Sequence, residues 1–460
     1  MIEFKIRHRN INAPLNPALA LYLFAACTSV VTILIIRPFL QITSENWAEY
    51  YRVFGELVRI WGLIFGTAFL ATFVFLILRG ILTASIRSFV IHLMPIERIL
   101  LILFLCNLAW GILGLVLGFE LSYIVGDTIR GAFIPGIYWI VRKSINSTRS
   151  IVFLARTILI VETMLLLLLI PLDFIPFSFA GRTFLTTIFL SLLFEEKNKA
   201  LRILFSFLLL FGIYALLTTS AVRGVTIIFI IMIVMNYFFR LKELKFSVLL
   251  FVFLIPAAGF LTAYEFLDLG IKEGLESSST RFEKSIGESG RNRYFGLDES
   301  LFQRVGETID VWRTFQSNSP LFLISGFGNG AELKNYLMTP SEKWVYKNNT
   351  KHNIYITPVA IFFRHGIIGL LLYGGLAVYI IRILFRIRHY RKIFEKSKEV
   401  VLLKVLCLYQ ISCILGSLIS YWYIGNIIIA FTLPLIELLR QHMSSILNGR
   451  AMIDQKVIDR

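Results

Sequence analysis

The sequence predicts an all-α polytopic membrane protein with about twelve transmembrane helices and one large outer loop, residues 265–353, containing short helices. Three observations predict it. Of the 460 residues, 57% are hydrophobic and only 16% charged, whereas soluble domains carry about a quarter charged residues. Apolar runs of about 20 residues recur along the whole length, each long enough to cross ~30 Å of hydrocarbon. Finally, clusters of Lys and Arg border alternate ends of these runs, the pattern that marks inner-side loops.

Taken in order, Lys5, Arg7 and Arg9 place the N-terminus inside, before a first span at 18–37. Glu45, Glu49 and Glu56 follow outside, and a second span at 58–78 returns to Arg79, Arg87 and Arg98. A third span runs over 99–119. The next segment, 121–141, is weaker because it holds Asp127, Arg130 and Pro135. It is expected to cross as a broken or tilted helix packed within the bundle. Asp127 and Arg130 are three apart, so a helix would let them pair on one face and make the charges tolerable there. Spans at 151–170, 178–194, 202–217, 224–239 and 246–264 lead to the large loop. Those at 354–381, 400–420 and 424–439 complete the set, with the basic segment Arg382 to Lys398 inside.

Four units follow: a nine-span bundle over 1–264, the loop 265–353, three spans over 354–440, and an inner tail over 441–460. The net charge of +17 is unevenly placed. The loop 265–353 holds 11 Lys/Arg against 12 Asp/Glu, so the remainder carries +18. Basic residues bordering spans, with no separate basic domain, argue against nucleic-acid binding. Cys27, Cys106, Cys407 and Cys413 sit in apolar runs without metal-ligand spacing, as packing thiols do.

The large loop concentrates the groups able to do chemistry. Arg304 opens a stretch of helical character that also carries Arg313, and a guanidinium can grip phosphate oxygens in a bidentate fork. The competing reading is an arginine salt-bridged to Glu307 or Asp310. Arg223 stands at the outer mouth of a span, where topology gives an arginine no reason to be; snorkelling to headgroups is the alternative. His352, directly before a span, carries an imidazole able to take a proton from a hydroxyl, unless it is an interfacial histidine without a role. His365 lies further along the following helix, where burial is expected. Gly326-Phe327-Gly328-Asn329-Gly330 could expose backbone N–H groups to an anion, although such runs are more often simple turns.

In order and in side of the membrane, these features resemble the O-antigen ligase and polymerase family of bacterial envelope glycan enzymes. Thr219-Ser220-Ala221-Val222-Arg223-Gly224 resembles its Thr/Ser-Arg-Gly stretch, with Ala221 and Val222 inserted. Arg304, then Pro320-Leu321 and Gly326-Phe327-Gly328, resembles its arginine followed by a glycine turn. His352-Asn353 with Gly366-Ile367-Ile368-Gly369-Leu370 resembles its His-Asn and Gly-Ile-x-Gly-Leu run, with Arg364 where a glutamate often stands.

The resemblance implies a multi-pass protein of the bacterial inner membrane, with cytoplasmic termini and a periplasmic site. It implies transfer of glycan from an undecaprenyl diphosphate carrier, without metal or cofactor. His352, Arg304 and Arg223 would be the catalytic set, with Asn353, Arg313, Gly326 and Gly328 binding substrate. The acceptor would be another glycan for a polymerase or lipid A core for a ligase. Membrane lipid and polysaccharide export or chain-length regulator proteins are the other candidate partners. Two further classes compete. A twelve-span transporter such as a flippase should have a long central inner loop, whereas here that loop is only Glu195 to Ala200. A non-enzymatic assembly factor requires the arginines and His352 to share one side by accident.

Overall fold

The computed structural model describes residues 22–23, 93–145, 148–169, 186–192, 198–217, 232–236, 238–239, 299–334, 336–337, 350–352, 354, 356–390, 398–418 and 427–458. The expected spans at 58–78 and 246–264, together with Arg223 and Asn353, lie outside the described residues.

The described chain is mostly helical. Its longer helices are α1 (Pro95–Val116), α2 (Leu121–Ser144), α3 (Thr148–Leu169) and α4 (Lys199–Leu217). In the loop region come α5 (Glu299–Gln316), the short α6 (Leu321–Ser325) and two brief strands, β1 (Leu333–Lys334) and β2 (Thr350–Lys351). The chain then continues as α7 (Thr357–Tyr390), α8 (Lys398–Ser417) and α9 (Ile427–Ile458). Among the described residues, four stretches are long and apolar enough to cross a membrane: Pro95–Val116, Leu121–Arg142, Thr357–Ile387 and Glu399–Ser417.

Local chemistry sets the ends of α1. Pro95 at the first helical position loses no needed donor, and the Met94 N–H donates to Glu97 Oε2 at 2.9 Å. At the other end Gly118 takes φ 76°, and the Phe119 N–H returns to Gly114 O at 3.1 Å, a left-handed glycine stop. The weak segment is one continuous helix, α2, running through Pro135 without a break. It packs between α1 and α9, while α7 contacts α1 and α8, and α8 contacts α9. Leu103, Tyr138, Leu376, Leu406 and Leu435 lie in the core they share. Ile102, Leu105 and Ile112 of α1 stay exposed, as lipid-facing positions would.

The loop region has its own smaller core. Phe315 of α5 packs on Phe327 with ring centres 5.1 Å apart, and Phe327 on Phe363 of α7 at 5.2 Å. Beside it β1 and β2 pair antiparallel, Leu333 opposite Lys351. The Lys351 ammonium is fully buried and paired with the equally buried Glu307 of α5. Breaking such a pair from one side typically costs about 3–5 kcal/mol. Glu307→Ala is therefore expected to lower the thermal midpoint of the detergent-solubilised protein sharply. Pairing it with Lys351→Met should recover most of the loss; no recovery would mean that Glu307 stabilises the fold by another route.

Candidate functional site

The site is built where α7 is interrupted. Gly366 has φ 60° and ψ −158°, a conformation that side-chain-bearing residues rarely take. The interruption removes the helical donors for the carbonyls of Phe363 and Arg364. The glycine turn supplies replacements: Phe327 N–H donates to Phe363 O at 3.0 Å, and Gly328 N–H to Arg364 O at 2.8 Å. Irregular backbone in a membrane helix survives only when protein re-satisfies its polar groups in this way. The fit leaves no room for a side chain, since a Cβ on Gly326 would lie 2.2 Å from Arg364 backbone atoms.

These bonds correct one expectation. All five N–H groups of residues 326–330 are engaged within the protein. Gly326 donates to Phe322 O at 2.7 Å, Asn329 to Trp110 O at 2.9 Å, and Gly330 to Asp127 Oδ2 at 3.0 Å. Gly326 and Gly328 therefore do not form an anion nest; they splice the loop onto α1, α2 and α7.

Asn329 is the centre of that splice. Its amide Nδ2 reaches Asn107 Oδ1 at 3.1 Å and Thr128 Oγ1 at 2.9 Å, and its Oδ1 lies 2.9 Å from His365 Nε2. The His365 ring stacks on Trp110 at 4.0 Å. His365 is buried, as its place in the sequence leads one to expect.

His352 sits beside this hub in a clamp from two helices. Tyr123 of α2 stacks on the imidazole face at 4.1 Å and 9°. Asp127, one turn further along α2, places Oδ1 3.4 Å from His352 Nε2. From α7, Arg364 donates through Nη2 to the His352 carbonyl, and its Nε lies 3.2 Å from Asp127 Oδ2. Arg130 approaches Asp127 at 3.7 Å, the pairing expected from their spacing, but Arg364 and the Gly330 N–H are closer partners. Only 9% of the His352 side chain is exposed. Burial pushes its pKa below the usual 6.5 and Arg364 adds to this, while the Asp127 carboxylate works in the opposite direction. Asp127, Arg130, Arg364 and His365 also line a small pocket between α2 and α7.

The other predicted residues divide. Arg304 is half-buried, with no hydrogen-bonding or ion-pair partner for its guanidinium among the described residues. It lies one turn before Glu307 on α5, hence on the face that meets Lys351, the residue preceding His352. Arg313 comes nine residues after Arg304, roughly half a turn round the helix, and pairs with Asp310 at 3.6 Å. The structure thus turns the two arginines to different faces of α5.

Residues 204–374 match the family model described as O-antigen ligase. This stretch is similar to the O-antigen ligase family. The resemblance drawn from the motifs holds, and the matched range contains Arg223, Arg304, the glycine turn, His352 and Gly366. A comparison with curated proteins finds no match. Tyr123, Asp127 and Arg130 lie outside the matched region, so half of the His352 clamp comes from a helix, α2, that the family match does not reach. Sequence reasoning assigned those three residues, and Arg364, no function. A carboxylate in an otherwise apolar span was the available signal, because such residues are costly there and usually functional.

Proposed function

We propose that the chain is a metal-independent glycosyltransferase of the periplasmic face. It takes glycan from an undecaprenyl diphosphate carrier and extends a surface polysaccharide or O-antigen. The observation carrying this reading is His352, which lies inside the region of the O-antigen ligase match and is held by Tyr123, Asp127 and Arg364. In this reading twelve spans present residues 265–353 to the periplasm, with both termini in the cytoplasm.

The acceptor hydroxyl gives its proton to His352, and its oxygen attacks the anomeric carbon of the donor sugar. The bond from that carbon to the diphosphate oxygen breaks, and the electron pair leaves with undecaprenyl diphosphate. Arg304 and Arg223 offset the charge on the leaving group, the work a metal does elsewhere. Asn353, next to His352, orients the acceptor.

Transfer to lipid A core is the second reading, and the description of the matched family as O-antigen ligase favours it. The glycan banding of a deletion strain separates the two. Loss of long chains over a retained single-repeat product marks a polymerase, whereas accumulated lipid-linked polymer marks a ligase. Unchanged banding would remove both.

Arg304→Lys is expected to abolish most of the activity although the charge is kept, because lysine lacks the planar fork. Complementation of the deletion strain at matched protein levels checks this. Wild-type banding from Arg304→Lys would show that no bidentate grip is made there.

A further inference from the structure

We propose that Asp127 is a positioning residue: it holds His352 as the Nε2–H tautomer and leaves Nδ1 as the atom that takes the acceptor's proton. The inference rests on the reading of His352 as the general base and adds which atom acts and what selects it.

Two groups compete for Nε2. Asp127 Oδ1, an acceptor, lies at 3.4 Å, and Arg364 Nη2, a donor, lies at the same distance. The acceptor wins on two counts. Arg364 Nη2 directs one of its two N–H groups to the His352 carbonyl and its Nε lies against Asp127 Oδ2, whereas Oδ1 carries negative charge directed at the ring edge. An Nε2 lone pair there would face a carboxylate across 3.4 Å, whereas an Nε2–H is drawn to it.

The other nitrogen supports the same assignment. His352 Nδ1 is buried and makes no hydrogen bond among the described residues. A buried polar atom without a partner typically costs about 1–3 kcal/mol, and native structures retain few of them. In the Nε2–H tautomer it is a lone pair, and a sugar hydroxyl arriving at Nδ1 would fill it. Tyr123 fixes the plane of the ring, so the Nδ1 lone pair has one direction. The charged and titratable groups around the ring come from both helices: Tyr123, Asp127 and Arg130 from α2, Arg364 and His365 from α7. Among them Asp127 is the group that favours an imidazolium, so it also steadies the cation formed after proton transfer.

Solid-state ¹⁵N NMR of the full chain, labelled at histidine and reconstituted in lipid, reads the tautomer without any substrate. His352 is one of six histidines, and its signal is the one missing from His352→Ala. The expected wild-type spectrum shows His352 protonated at Nε2 and bare at Nδ1 at neutral pH. In Asp127→Ala that form falls to a minority as Arg364 becomes the nearest partner of Nε2. Should this variant not accumulate, Asp127→Asn replaces it, and its weaker acceptor lowers the pH at which His352 protonates. A wild-type spectrum dominated by Nδ1–H overturns the proposal, as does an Nε2–H form untouched by loss of the carboxylate. Wild-type turnover in His352→Ala would instead remove the general-base reading and leave the tautomer result standing.

Discussion

Replacing His352 with alanine is expected to lower turnover by about 10²–10⁴-fold, the usual effect of removing a general base, with donor affinity nearly unchanged. The two effects separate because the proposed donor contacts belong to other side chains. Arg304 on α5 and Arg223 would hold the diphosphate whether or not an imidazole is present. His365→Ala should act differently. Its ring is buried against Trp110 and bonded to Asn329, so its loss reduces the amount of folded protein more than the turnover of each folded molecule. The pH profile carries a sign as well. Only neutral His352 can accept a proton, and burial favours that neutral form. Activity should therefore persist below pH 6.5 and fall only at lower pH, as the ring protonates. A reconstituted transfer assay with lipid-linked glycan, run with both variants, across pH and with a chelator, checks each point. Undiminished turnover in His352→Ala would end the base assignment, and loss of wild-type activity on chelation would end the metal-independent one.

Gly326→Ala is expected to be as damaging, through the fold. Its backbone has φ 70°, and a Cβ would lie 2.2 Å from Arg364 C and O and 2.3 Å from His365 N. Those are backbone atoms of α7 and cannot swing aside, so the cost should exceed the roughly 1–3 kcal/mol typical of overpacking. Gly118→Ala is the control. Gly118 also has a positive φ, 76°, but nothing lies within 4 Å of a Cβ there. It should cost only the backbone strain, roughly 1–2 kcal/mol. Thermal midpoints of the two purified variants test the contrast. Equal effects would mean that the turn and α7 do not meet closely.

The helices at 95–116, 357–387 and 399–417 were legible because a membrane span needs a long apolar run bounded by Arg and Lys, and each of these has one. The break at Gly366 was not. Gly366-Ile367-Ile368-Gly369 keeps an apolar run going, and only the backbone conformation reveals that the helix stops being a helix there. The same holds for the glycine turn. Its composition suggested N–H groups open to an anion, but whether such groups are free depends on what lies opposite, and here Phe363, Arg364, Trp110 and Asp127 do. For the site, the sequence singled out His352 and Arg304 because each stands out from its surroundings. It could not pair His352 with Tyr123 and Asp127, since residues so far apart in a chain leave no periodic trace. The place of Arg313 was hidden for a simpler reason: sharing a helix with Arg304 says nothing until the angle between them is counted.

That long separation also sets a timetable for biogenesis. Gly330, which donates to Asp127, follows it by 203 residues, and His352 and Arg364 come later still. At about 5–20 residues per second, synthesis runs on the order of 10–40 s between the carboxylate and its first backbone donor from the loop. Throughout that interval α2 carries a carboxyl group in an apolar helix with only Arg130, of its four described partners, already made. The nascent bundle thus holds one polar span in waiting, and a ribosome that stops early leaves it permanently incomplete. Arrival of the glycine turn and the first segment of α7 ends the wait for Asp127 and builds the cradle of His352 in the same event.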